Sequence, residues 1–176
     1  MGLEDIQYPL VSQGENQNYC WAASLSCWLK AVRNKNLTMG DLLYIYENWV
    51  DDEEGENYGE LNEEGMSKLL HDHRWFLHYD KKKNDKIKFE YLDKLLKRGP
   101  VMVAYYEPKV KGYHMNVIVA GAGLGDVASG LVVMDPNYGS FQIRNLQYYK
   151  NYYSDIYFIY KAYASSSPTY AYEQSY

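Results

Sequence analysis

One cysteine and one histidine lie in surroundings that suit nucleophilic chemistry. Cys20 follows the polar stretch "QGENQNY", residues 13–19, and precedes "WAAS", residues 21–24. A thiol becomes a strong nucleophile as its thiolate, which a helix amino terminus and a neighbouring imidazolium both favour. His114 opens an otherwise apolar stretch, whereas the other three histidines lie in the charged segment 71–78. We therefore expect Cys20 to be a nucleophile and His114 its base.

An imidazole that acts as a base needs an acceptor on its second nitrogen. Asp135 ends the predicted strand that follows the strand of His114. Residues opposite each other on paired antiparallel strands lie about 5 Å apart, within reach of such a hydrogen bond. Asn116 is the rival acceptor, but it lies about 7 Å along the same strand, too far for its short side chain. The sequence thus predicts that Asp135 orients His114.

Acyl transfer also needs donors for the negative oxygen of its tetrahedral intermediate. The backbone N–H of Cys20 can supply one donor if Cys20 begins a helix. A side-chain amide upstream can supply the other, and both Gln13 and Gln17 are candidates. The residues alone leave this choice open.

The helix that would hold Cys20 is predicted by its apolar spacing. Trp21, Leu25, Trp28 and Val32 recur at helical intervals over residues 20–32, and Asn16 and Asn18 are candidate caps. Thr38 and Asp41 predict a capping-box start for a second helix. Two more helices are expected at about 63–71 and 89–97, and "KKKNDKIK", residues 81–88, is predicted to be a solvated basic loop.

After Pro100 the sequence becomes rich in β-branched residues and tyrosine, which is typical of strands. Five strands are predicted, at residues 101–106, 113–122, 130–135, 140–144 and 155–161. Helices followed by an antiparallel sheet indicate the α+β class. We expect one domain over residues 1–162 and a flexible tail over residues 163–176.

Several functional classes are disfavoured by composition. A net charge of -5 argues against nucleic-acid binding. No apolar run reaches the roughly 18 residues of a membrane span, and no secretory signal begins the chain, so cytoplasmic synthesis is expected.

Cys20 and Cys27 would lie about 10 Å apart on one helix, too far for a disulfide. The spacing of His71 and His73 does not suit a metal site on a helix, and no metal or cofactor is expected.

Four stretches together resemble a known family. They are a glutamine ahead of "CWAAS", then "RGPVMVA" at 98–104, "GYHMNVIVAGAG" at 112–123 and "VVMDPNYG" at 132–139. This pattern is similar to the papain-like cysteine peptidase clan in its compact bacterial forms, such as the effector proteases of plant pathogens and the double-glycine leader peptidases of bacteriocin exporters. The resemblance covers about residues 8–32 and 95–160.

The resemblance implies roles for four residues: Cys20 as nucleophile, His114 as general base and acid, Asp135 as orienter and Gln13 as oxyanion donor. The family's glutamine usually lies six residues before the cysteine, whereas Gln13 lies seven before it and Gln17 three. The implied fold is a helical subdomain whose nucleophile helix packs on an antiparallel sheet. The segment 33–94 matches no part of the family pattern.

The implied activity is hydrolysis of peptide bonds in a protein or peptide substrate. The family likeness suggests a secreted bacterial effector or interbacterial toxin, delivered without a signal peptide and held in check by a cognate inhibitor or immunity protein. Three alternatives keep the same residues: a papain-fold deamidase or transglutaminase, a cell-wall peptide amidase, and a binding module with a relic triad.

Overall fold

The computed structural model describes residues 8–15, 17–52, 55, 58–107, 112–122, 130–150 and 155–162. The tail expected at residues 163–176 lies outside the described residues. The helices are α1 (Cys20–Arg33), α2 (Met39–Ile45), α3 (Glu63–Leu70), α4 (Phe89–Leu96) and α5 (Leu146–Lys150). The strands are β1 (Leu77–Lys83), β2 (Val101–Glu107), β3 (Gly112–Ala122), β4 (Gly130–Asp135), β5 (Ser140–Arg144) and β6 (Asp155–Lys161).

The six strands form one open sheet in the order β1-β6-β2-β3-β4-β5, and every neighbouring pair is antiparallel. Helices cover both faces of this sheet. One apolar core joins α1, α2 and α3 to the sheet, and the other lies under α4 and α5. The mixed helical and antiparallel architecture confirms the α+β class. Among the described residues, no helix combines the length and the apolar character needed to cross a bilayer.

Helix α1 follows the prediction closely because its apolar stripe is buried. It begins at Cys20, ends one residue beyond Val32, and terminates at Asn34 in the left-handed region with φ 52°. The predicted capping by Asn18 is wrong: Tyr19 is the N-cap and makes no side-chain cap, while Asn18 Nδ2 donates to Tyr58 O at 3.0 Å. A 3₁₀ turn, Gln17–Tyr19, leads into α1 and moves the cap position to Tyr19. Asn16 lies outside the described residues.

Helix α2 begins with the predicted capping box. The Thr38 hydroxyl accepts from the Asp41 backbone N–H at 3.1 Å, and the Asp41 carboxylate accepts from the Thr38 N–H at 2.8 Å. These reciprocal bonds satisfy two donors that the first turn of the helix leaves open. The helices expected near residues 63–71 and 89–97 are also present, as are the five predicted strands.

The predicted loop at residues 81–88 is wrong in its first half. Lys81, Lys82 and Lys83 belong to edge strand β1, which pairs with β6, and Lys81 Nζ lies 2.9 Å from Asp155 Oδ2. The solvation argument holds for lysine side chains but not for their backbone, since an edge strand can pair on one side and keep its charges in water. The segment then forms a 3₁₀ turn, Asn84–Lys86, and buries Ile87 completely.

Candidate active site

The amino terminus of α1 lies against the one stretch of β3 that β4 leaves open. Alternate residues of a strand direct their backbone groups to the same edge, so Tyr113, Met115 and Val117 all face the β4 side. β4 pairs Val117 with Met134, but Tyr113 and Met115 lie beyond its registered pairs. The thiol of Cys20 takes their place: its Sγ accepts from the Met115 N–H at 3.4 Å and lies 3.9 Å from Tyr113 O. The sulfur thus contacts the backbone on both sides of residue 114.

A second bond fixes the same helix to the same strand. Ser24, one turn after Cys20, is fully buried and donates its hydroxyl to Met115 O at 2.9 Å. Both backbone groups of Met115 are therefore bonded to α1, which meets the general need to satisfy buried backbone polar groups. Because Cys20 and Ser24 bind one strand residue, the position of the sulfur along β3 is well defined.

His114 is buried among groups that leave one ring nitrogen unoccupied. Its Nε2 donates to Asp135 Oδ1 at 3.0 Å, and the ring of Tyr105 contacts it edge-on at 5.8 Å between centroids. Its Nδ1 has no hydrogen-bond partner of ordinary geometry among the described residues, although Cys20 is close enough to influence its protonation. Nδ1 is thus the nitrogen that can exchange a proton with Cys20 or a substrate.

The expected contact between His114 and Asp135 is present, but its geometry differs from the predicted one. The pairing of Val117 with Met134 places Asp135 beside Asn116 rather than directly across from His114. The hydrogen bond therefore runs diagonally across the sheet, a direction in which longer side chains can still meet. The Asn116 amide is hydrogen-bonded to Tyr105 and Tyr149 rather than to His114. The structure brings Cys20, His114 and Asp135 together and leaves the rival Asn116 out.

Asp135 is a buried carboxylate with a partner on each oxygen. Oδ1 accepts from His114 and from the Asn137 N–H at 3.0 Å, and Oδ2 accepts from the Arg144 guanidinium. Burial by itself raises the pKa of Asp135, but the bond to His114 and the charges of His114 and Arg144 outweigh it, so the pKa lies below its ordinary value. Asp135 is therefore ionised over the whole neutral range.

Its neighbours Asp135 and Cys20 keep His114 protonated at neutral pH. Burial lowers the pKa of His114, but the hydrogen bond to Asp135, the adjacent Cys20 sulfur and the negative charge of Asp135 outweigh burial and raise the pKa from 6.5 to about 9. At neutral pH the imidazole is thus a cation beside the Cys20 sulfur. This is the charge arrangement that favours a thiolate.

Gln13 lies beside the turn that follows Asp135. Its N–H donates to Pro136 O at 3.1 Å, and Ser12 packs so closely on Gly139 (φ 55°) that a Cβ there would lie 2.9 Å from the Ser12 Cβ. The Gln13 side chain is buried, and neither its Nε2 nor its Oε1 has a partner within the described part of the chain. Buried amides without hydrogen-bond partners are rare, and the Gln13 side chain is therefore suited to bind a ligand. The side chain of Gln17 lies outside the described residues.

The segment that matches no part of the family pattern contributes a wall beside Cys20. The chain leaves α2, pairs Val50 with Leu61, and directs Tyr58 and Gly59 toward the start of α1. Trp21 Nε1 donates to Gly59 O at 3.2 Å, and the ring of Tyr58 lies 6.4 Å from that of Tyr19. Within this segment, residues 53, 54, 56 and 57 lie outside the described residues. The described residues on either side of this gap form the wall next to the start of α1.

Two site residues were missed by sequence reasoning. Ser24 was not recognised because a serine within a helix gives no sign of its partner. Arg144 alternates along β5 with Phe141 and Ile143, a pattern that predicts a solvent-facing arginine. Its side chain is instead 9% exposed, while Ile143 is 63% exposed. The spacing of Asp135 and Arg144 around the turn "PNYG" gives no signal for their contact, because Asp135 pairs with Ser140 and Arg144 pairs with Leu131.

Other parts of the described structure offer no competing chemistry. Among these residues, no group of three or more His, Cys, Asp or Glu side chains is arranged to hold a metal ion. A cavity of about 430 Å³ lies near the far end of α1, lined by Tyr8, Pro9, Lys30, Ala31 and Asn34. It includes none of the candidate site residues. The sequence matches no protein-family model and no curated protein.

Proposed function

We propose that this protein is a papain-like cysteine peptidase that hydrolyses peptide bonds through Cys20, His114 and Asp135. One observation carries the proposal: the sulfur of Cys20, at the first residue of α1, bonds the strand backbone on either side of His114, whose Nε2 is held by buried Asp135. A thiol, an imidazolium and a carboxylate in this sequence of contacts form the arrangement that activates a cysteine nucleophile. The order of these residues along the chain also agrees with the family likeness.

The first half of the reaction forms an acyl-enzyme. The Cys20 thiolate attacks the carbonyl carbon of the substrate, and the carbonyl oxygen takes the negative charge. The backbone N–H of Cys20 at the start of α1 and the side-chain amide of Gln13, which is buried and has no partner among the described residues, stabilise this oxygen. His114 then gives its Nδ1 proton to the leaving amine, and the peptide C–N bond breaks.

The second half releases the acyl group. Neutral His114 takes a proton from water through Nδ1, and the resulting hydroxide attacks the thioester carbonyl. The C–S bond breaks, the carboxylic acid product leaves, and the thiolate and imidazolium are restored. Asp135 stays ionised throughout and stabilises the imidazolium, so the protein needs no cofactor for either half.

The proposed substrate is a protein or peptide that approaches between the Tyr58–Gly59 wall and β3. Only 4% of Cys20 is exposed, so a slim, extended segment fits this approach better than a folded surface. The setting that goes with the family likeness is a secreted bacterial effector or toxin with an inhibitor protein as its partner.

The test uses peptides from a digested bacterial proteome as substrates, with new amino termini identified by mass spectrometry. The wild type should generate new termini, the Cys20→Ala variant should generate none, and the Cys27→Ala variant should match the wild type. Absence of wild-type cleavage would overturn the peptidase proposal. In that case, glutamines converted to glutamates in intact peptides would indicate a deamidase that uses the same thioester.

The nucleophile claim has its own test, which needs no substrate. Iodoacetamide is small enough for a narrow opening, and it should modify Cys20 in the folded protein at neutral pH. If Cys20 reacted no faster than Cys27, the thiol would not be activated and the binding-module alternative would stand instead.

A further inference from the structure

Arg144 is buried behind the three proposed catalytic residues. It lies on β5 on the same sheet face as Asp135, and 9% of its side chain is exposed. The neighbouring Ile143 points outward and is 63% exposed. An arginine inside and an isoleucine outside reverse the usual preference, because removing a charge from water is costly unless the charge is paired. Strand β5 therefore leaves the apolar Ile143 in solvent and places the Arg144 guanidinium beside Asp135.

The contacts of Arg144 fix it firmly in this position. Its guanidinium donates to Asp135 Oδ2, Nη1 donates to the Tyr105 hydroxyl at 3.2 Å, and Cζ lies 4.2 Å from the centre of the Tyr148 ring. Asp135 Oδ1 is shared by His114 and the Asn137 N–H. Each carboxylate oxygen thus has its own partners, and rotation of the carboxylate would break bonds on both sides.

The three tyrosines around Arg144 and Asp135 keep a constant charge near neutral pH. Burial raises the pKa of Tyr105 and Tyr148 above the ordinary value and that of Tyr149 to about 12, so all three remain neutral. Tyr148 donates to the buried Glu107 at 2.7 Å, and Tyr149 donates to Asn116 Oδ1 at 3.2 Å. The titratable and charged groups that face the pair are Cys20 from α1, Tyr105 and Glu107 from β2, His114 from β3, and Tyr148 and Tyr149 from α5.

We propose that Arg144 is a positioning residue that acts through Asp135: it holds Oδ2 so that Oδ1 stays directed at His114 Nε2. The inference rests on the proposed function, since it assigns Arg144 a part in activating Cys20. Without the guanidinium, the buried Oδ2 would lose its hydrogen-bond donor and Asp135 would keep only His114 as a charged partner, so the carboxylate would turn away or take up a proton. Either change weakens its hold on the imidazolium and, through it, on the thiolate.

The test compares Arg144→Met, Arg144→Gln and Arg144→Lys in the full chain. The first readout is the rate at which iodoacetamide modifies Cys20 at pH 7. We expect Cys20 to react roughly tenfold more slowly in the Met and Gln variants, which corresponds to a loss of about 1.4 kcal/mol of thiolate stabilisation. Lys, which keeps the charge, should restore most of the rate.

The second readout is the far-downfield proton resonance of the His114–Asp135 hydrogen bond, assigned by its loss in Asp135→Asn. It should disappear or broaden in Arg144→Met and return in Arg144→Lys. The matched control is Arg74→Met, which breaks another arginine–aspartate pair, to Asp72, where the arginine side chain is 56% exposed. This control should change neither readout.

Two results would overturn the inference. One is an Arg144→Met variant that melts at a lower temperature but keeps the wild-type alkylation rate and proton resonance, since a purely structural role predicts this. If the Met variant does not fold, the Gln variant decides by the same measurements. A slow Cys20 in the wild type would instead count against the proposed function, and the proton resonance would still decide the role of Arg144.

Discussion

Two cysteines on the same helix have opposite chemical surroundings. Cys20 is the first residue of α1, and its sulfur accepts from the Met115 N–H beside the cationic His114. Cys27 lies two turns further along, and its thiol donates to Pro9 O at 3.2 Å. Burial raises the pKa of the Cys27 thiol to about 12. Burial alone does not separate the two, since they are 4% and 0% exposed. Position on the helix and the charge of the neighbours are the differences from which we expect only Cys20 to react readily.

The largest expected difference between the cysteines is in catalysis. Cys20→Ala should lower peptide cleavage by at least about 10⁴-fold, because no other group can form the thioester. Cys27→Ala should keep wild-type activity and lose about 1 kcal/mol of unfolding free energy, because it leaves a small cavity in the core. Cleavage assays and urea unfolding of both variants measure these effects. Equal activity of the two variants would remove the basis of the comparison.

The next difference concerns the reactivity of the thiols themselves. With a pKa near 12, Cys27 has on the order of 10⁻⁵ of its molecules as thiolate at pH 7. We expect iodoacetamide to modify Cys20 at least about 10³-fold faster than Cys27 in the folded protein. Peptide mapping after timed quenching gives the two rates. In guanidinium chloride, where both environments are lost, the rates should become equal.

A smaller effect should follow when the charge beside His114 is removed. Asp135 raises the pKa of His114, so Asp135→Asn should lower that pKa toward 6.5 and reduce kcat/KM by on the order of 10²-fold. In the wild type, activity should fall as the pH rises through about 9, since His114 then loses the proton that the leaving amine needs. In the variant this alkaline limb should lie at lower pH. An unchanged limb in the measured pH profile would mean that Asp135 does not act on His114.

The smallest expected effect comes from the bond that aligns Cys20 with β3. Ser24→Ala leaves Met115 O without its partner and should cost about 1–3 kcal/mol of stability. Because the same helix turn holds the sulfur, cleavage should also slow, by only a few fold. Ser26→Ala is the matched control: Ser26 lies on the same helix and donates to Leu37 O at 2.6 Å rather than to β3. The control should lose stability without losing activity.

Most of the regular structure could be predicted from local patterns. The start of α1 at Cys20, the capping box at Thr38 and the five strands after Pro100 all follow from spacing and residue type. Strand β1 was missed because lysine-rich sequence indicates solvation, while its pairing with β6 depends on a strand about 80 residues away in the chain. The cap expected from Asn18 is wrong because the 3₁₀ turn before α1 makes Tyr19 the N-cap.

Local sequence patterns were enough to single out the candidate side chains: a cysteine at a helix start, a histidine near the start of a strand, an aspartate at a strand end and a glutamine upstream. Local preferences suffice to find these candidates, because a helix start or a strand end depends on only a few neighbouring residues. The tertiary structure decided how they meet. β4 ends early enough for Cys20 and Ser24 to bind the open edge of β3, and strand register makes the His114–Asp135 contact diagonal. It also buried Arg144 and exposed Ile143, because the packing of α5 and Tyr105 against β5, rather than the alternation within the strand, determines which face of β5 lies inside.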